Sequence, residues 1–143
     1  MGLPGDRTRE FLDRRTSIAI LATVGAQGVP ECCILVAPRL LEDGRVAGGE
    51  EEHVGGNVFR NLRRQPRASL LVLDPIMDPR ARDGVRLEVE FLGAEDDGEG
   101  LDHINSWLGS FAPGRRVVRR LLFKLISSTP YRPPPDGPVL IGT

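Results

Sequence analysis

The sequence predicts a mainly β domain, a small antiparallel barrel carrying short helices on its outside. Three observations lead there. Short apolar runs follow one another, bounded closely by turns rich in glycine, proline and acidic residues. One run, VRLEVEFLGAE at 85–95, alternates apolar and polar side chains with the two-residue period of a strand that has one wet face. The connections between the early runs are short enough for hairpins rather than parallel crossovers.

Residues 6–15 (DRTREFLDRR) read as a short amphipathic helix, with Asp6 or Thr8 as cap and Phe11 and Leu12 as its docking face. SIAILATV at 17–24 is almost wholly apolar and suits a buried strand. GAQG at 25–28 turns the chain into a second strand at 31–41, where Pro38 implies an edge or a bulge near the end. The EDG turn at 42–44 places Gly44 where positive φ is needed and leads to a short third strand at 45–49. A loop over 50–57 enters a helix at 58–64, stopped by Gln65-Pro66. ASLLVLD at 68–74 is the fourth strand, and a charged, proline-bearing loop over 75–84 precedes the alternating fifth. Leu101, Ile104 and Leu108 carry a helical spacing over 99–109. Residues 117–127 fit either period, and strand is the favoured reading. The tail from about 130 is proline-rich and expected to lie extended on a surface. No repeat or linker divides the chain, so its 143 residues are read as one domain.

Composition excludes several function classes. A formal net charge of −1 argues against a nucleic-acid binder or a basic membrane-surface protein. No stretch reaches the ~20 apolar residues of a membrane span, and residues 1–15 lack the apolar segment of a signal peptide. Cys32 and Cys33 are adjacent, so on a strand they face opposite ways and cannot pair with each other. They read as reduced core residues of a cytoplasmic protein. Metalloprotease, nucleophile-elbow, P-loop, CxxC and dinucleotide glycine signatures are all absent, and no metal site is expected.

Two segments carry a resemblance. SIAILATVGAQGVPE has an apolar strand ending in Ala-Thr, a glycine-bearing turn, and a proline just inside the next strand. FRNLRRQPRASLLV at 59–72 has Asn61, Leu62, Arg63, Arg64, Pro66, Arg67, Ala68 and Ser69 in register with a helix–proline–strand pattern. Together they resemble the pyridoxamine 5'-phosphate oxidase-like FMN-binding split-barrel family, over roughly residues 8–95 and more weakly into LLFKLISSTPY. The resemblance implies a six-stranded antiparallel split β-barrel with short peripheral helices, assembled as a homodimer. It also implies a cofactor, FMN or the deazaflavin F420, in a groove between subunits. The ring would lie along strand backbone near Leu35, Val36, Ala37 and Pro38, with a small-molecule substrate beside it. The function expected is that of a flavin-dependent oxidoreductase, in which the cofactor carries the hydride chemistry and no catalytic side chain is named.

The chain departs from the pattern at the phosphate end. Val58 and Phe59 stand where the family has Lys and Thr, and Gly56 takes the upstream basic position. The run Glu50–Glu52 adds negative charge nearby. A phosphate site here would use backbone N–H groups of Gly55, Gly56, Asn57 and Val58, with Arg60 and Asn61 on the helix that follows, or an arginine from a partner subunit. The alternative is a barrel that has lost the flavin phosphate site and takes another small ligand, or heme through His53, in the same groove. His103 and Trp107, four apart on a helix, read as a packing pair, with cofactor contact the alternative. Arg63, Arg64 and Arg67 read as a solvated helix face or a dimer-groove face. Arg115, Arg116, Arg119 and Arg120 read as solvated or salt-bridged, and Asp96 and Asp97 as a turn.

Overall fold

A computed structural model describes residues 6–52, 57–80 and 82–132. Along the chain run α1 (Asp6–Asp13), β1 (Ile18–Val24), a 3-10 turn (Ala26–Gly28), β2 (Pro30–Leu40), β3 (Val46–Glu51), α2 (Val58–Arg64), β4 (Arg67–Leu73), β5 (Gly84–Glu95), α3 (Glu99–Phe111) and β6 (Val117–Tyr131). The six strands close into an all-antiparallel barrel in the order β1-β2-β3-β6-β5-β4. Closure removes the sheet edges that would otherwise expose unpaired backbone.

Strand alternation fills the barrel. Leu21, Leu35, Val46, Leu70, Val72, Leu87, Val89, Leu121, Phe123 and Leu125 point inward, and α1 and α2 lend Phe11, Leu12, Val58 and Leu62 to the same core. Each such side chain contributes about 1.5–3 kcal/mol by leaving water. A second, smaller core lies outside the barrel wall, where Leu101, Ile104 and Leu108 of α3 cover Val36 and Val117. The ambiguous stretch 117–127 is therefore a strand, with Leu121, Phe123 and Leu125 buried and Lys124 exposed between them.

Three sequence expectations are refined. β6 runs on to Tyr131, so Ser128–Tyr131 are not tail but pair with Gly84–Leu87 of β5. Pro130 is tolerated because β3 reaches only to Phe123, so beyond that point β6 is paired on one side and needs no donor on the other. Pro38 marks a bulge, not an edge: the β2–β3 register jumps between Val36 and Arg39. Gly44 has φ of 90°, as the turn required. Thr8 does not cap α1; its hydroxyl is buried and hydrogen-bonds Ser128 on β6. The remainder of the tail lies outside the described residues.

α1 and the start of β1 are tied to the β4–β5 connection by Asp74, which is 1 % exposed. It accepts hydrogen bonds from the Thr16 hydroxyl (2.6 Å), the Met77 N–H (3.2 Å) and Arg14 (3.4 Å). Burial pushes its carboxyl pKa up, but these donors outweigh that and hold it below the ordinary value. No helix of the described residues is long and apolar enough to cross a membrane.

Candidate functional site

The β2 bulge shapes one wall of a surface cleft. Ala37 adopts φ of 52°, a left-handed conformation that costs a non-glycine residue roughly 1–2 kcal/mol. Opposite it, β3 carries the small residues Ala47, Gly48 and Gly49. A Cβ on Gly49 would lie 2.9 Å from Val117 and 3.3 Å from the Val36 carbonyl, so only glycine lets these strands and their outer layer approach. Over this thin wall lies α3. Asn105 fixes it there: its Nδ2 donates to the Val117 carbonyl (3.0 Å), and the Val117 N–H donates to its Oδ1 (2.8 Å).

Between α3 and the bulge is a cleft of about 450 Å³. Ala37 and Ala47 line it from the barrel, His103, Ile104 and Trp107 from α3, and Arg15, Arg39 and Arg120 bring positive charge. Trp107 also borders a second, more apolar opening of about 410 Å³ with Ile34, Leu35, Val36, Ile76 and Phe111. Its indole meets the Phe111 ring edge-on at 4.8 Å.

The other expected region lies at the mouth of the barrel around α2. Val58 is 6 % exposed and part of the core. Phe59 packs edge-to-face on Phe91 at 6.0 Å and lies under the guanidinium of Arg119, 4.5 Å from its ring centroid. Asn61 is buried and bonded internally, donating to Thr23 Oγ1 (3.1 Å) and accepting from Arg64 (3.2 Å). Asn57 is exposed, with its amide toward Glu31 (3.4 Å). Arg60 lines an open basic concavity with Phe59, Arg63, Arg64 and Arg119. The carboxylates of the Glu50–Glu52 run are largely neutralised. Arg119 donates to both oxygens of Glu50 (2.9 and 2.6 Å), and Arg115 to Glu51 (2.9 Å). Of the two cysteines expected in the core, only Cys33 is buried, while Cys32, on the opposite face of β2, is exposed; burial, with the charge of Glu50 and then Cys32 adding to it, pushes the Cys33 thiol up to about 11.

No family model matches the sequence, and no curated protein matches it significantly. Solved structures do. An FMN-binding protein from Syntrophomonas wolfei superposes with a TM-score of 0.68 at 19% identity, over 87% of this chain and 84% of that one. An F420 reductase matches with a TM-score of 0.62 at 14% identity, over 89% and 98%. HutZ, the heme storage protein from Vibrio cholerae, matches at 0.55 and 19% identity, over 86% and 89%. The fold is the split β-barrel.

Within this split barrel, the expected ring positions separate into two groups. Leu35 points into the core and Val36 under α3, Ala37 lines the cleft, and Pro38 is buried within the bulge between them and Arg39. At the phosphate end, Val58 and Phe59 are packed apolar residues and offer no side-chain donor, so the usual lysine and threonine contacts do not fit here. Arg60 and Arg63 are the nearest cations on the same helix. His53, Gly55 and Gly56 lie outside the described residues. Sequence reasoning missed Arg15, Arg39, Ala47 and Asn105. They are far apart in the chain and carry no motif; only the bulge and the seating of α3 bring them together. His103 and Trp107, read first as a packing pair, both line the cleft.

Proposed function

We propose that the protein binds a flavin (FMN) or deazaflavin (F420) as a homodimer, and acts as an oxidoreductase of the pyridoxamine-phosphate-oxidase-like class. The observation that carries this reading is the cleft at the Ala37–Pro38 bulge. It is ring-sized, walled by Trp107, and lined by Ala37, one of the strand positions at which the resemblance puts the cofactor ring. When bound, the flavin supplies the hydride chemistry; the chain's own residues bind and orient it. The phosphate moiety falls to the concavity of Arg60 and Arg63, since Val58 and Phe59 cannot take it. A second copy of the chain covers Ile34, Ile76 and Phe111, which are 49, 68 and 58 % exposed around the apolar opening. A cytoplasmic setting agrees with the reduced cysteines.

The packing of Val58 and Phe59 favours a second reading, a split barrel that has lost the flavin and takes another small ligand, heme included, in the same groove. Titration with FMN, F420 and hemin, followed by absorbance and fluorescence, separates the two. Micromolar FMN or F420 binding that weakens at least tenfold in Ser106→Trp, which fills the cleft from its exposed rim, supports the flavin reading. Binding of none of the three, or flavin binding indifferent to that substitution, refutes it.

A further inference from the structure

The charges of the cleft are unevenly matched. Arg120 is neutralised and fixed: its Nε donates to Glu95 (2.7 Å), and its guanidinium lies against Gly100. A Cβ at position 100 would stand 2.8 Å from the Arg120 Cζ, so the glycine is what admits the guanidinium to the first turn of α3. Arg15 and Arg39 are different. Neither has a carboxylate partner among the described residues, and Arg39 donates only to the carbonyl of Pro38 next to it (2.9 Å). No carboxylate is among the side chains lining the cleft. By contrast, Arg115, Arg119 and Arg120 each found an acidic partner within the fold.

Two unmatched guanidiniums beside an indole, in a concave site with apolar walls, repel one another and attract a ligand of opposite charge. Each offers a planar fork of donors suited to a carboxylate. The geometry points to a planar aromatic dicarboxylate as a ligand class of this cleft, its ring taking the flavin ring's place against Trp107, one carboxylate on Arg39 and the other on Arg15, so that FMN and the diacid compete. The inference rests on the cleft being the ligand site proposed above, and it names the class of molecule selected there.

Trp107 is the single tryptophan of the chain, so its indole N–H gives one assignable reporter inside the cleft. The probe is naphthalene-2,6-dicarboxylate, with the uncharged naphthalene-2,6-dimethanol as control, added to the full-length protein with and without FMN. Calorimetry reads affinity, and the indole cross-peak reads location. The expected result is diacid binding that shifts the Trp107 signal, at least tenfold tighter than the diol. Arg39→Gln and Arg15→Gln should each weaken it about tenfold, while exposed Lys124→Gln leaves it unchanged. Both arginines are at the surface, and circular dichroism confirms that the variants fold. Equal binding of diol and diacid, no binding of the diacid, or indifference to both arginine substitutions overturns the inference. Diacid binding by a protein that takes no FMN upholds it while removing the flavin reading. FMN binding without diacid binding does the reverse.

Discussion

Replacing Asn105 by alanine should loosen α3 from the barrel and reshape the cleft. β5 ends opposite Arg120, so the Val117 backbone on that side has no strand to bond to. Asn105 stands in for the missing strand, satisfying both Val117 groups at 2.8 and 3.0 Å. Val117 is fully buried, and water cannot simply replace the amide. Each hydrogen bond is worth about 1 kcal/mol net, and an orphaned buried group costs about 1–3 kcal/mol. Partial rehydration at the helix edge brings the sum to roughly 2–3 kcal/mol. For a domain of this size, the melting temperature should fall by on the order of 6–12 °C. Urea unfolding is the assay: the midpoint drops with an unchanged slope. Trp107, half a turn further along the same helix, should change its emission in the folded state. Ser110→Ala, at an exposed site on α3, serves as the control and should stay within about 0.5 kcal/mol. A loss below about 0.5 kcal/mol in Asn105→Ala would refute the claim that this side chain anchors the helix.

Three further outcomes are expected. Because the folded-state pKa of Asp74 is depressed, its contribution is present above its unfolded value, about 3.9, and is lost as pH falls through the lower folded value. Urea midpoints at pH 7 and pH 3 should therefore converge in Asp74→Asn relative to wild type, and an unchanged pH dependence contradicts this. With Cys33 pushed up to about 11 and buried, iodoacetamide at pH 8 should modify exposed Cys32 alone, giving a single mass addition to the native protein and two after unfolding. Val58→Lys restores the residue type of the family pattern but forfeits a buried valine, so stability should drop by about 2 kcal/mol in urea, and a neutral effect would show that this position opens to solvent.

The fold was readable because its main signals are local. The alternation in 85–95, the proline at position 38 and the helical spacing of Leu101, Ile104 and Leu108 each report the immediate environment of the chain. The site was only half readable. The resemblance offered Ala37, which lines the cleft, yet nothing in the sequence ties Arg15 and Arg39 to Trp107, which joins them from the far side of the chain. The Glu50–Glu52 run looked like an obstacle to an anion because sequence cannot show that Arg119 and Arg115 lie across the ladder. The length of β6 was missed for a related reason: whether a proline ends a strand depends on which neighbours it has, and that is a property of the closed barrel.

Arg119 and Arg120 are consecutive, yet alternation sends one to Glu50 at the barrel mouth and the other to Glu95 beside α3. Leu121 follows on the inner face. Sliding β6 by one position would put one arginine in the other's place, leave one of the two carboxylates without its cation, and turn Leu121 into the outer layer. The arginine doublet is thus a two-toothed key for the alignment of the closing strand. A slide by two positions would keep the apolar faces inward, but it would still part both arginines from their carboxylates, and so the doublet guards against the one misalignment that hydrophobic alternation tolerates.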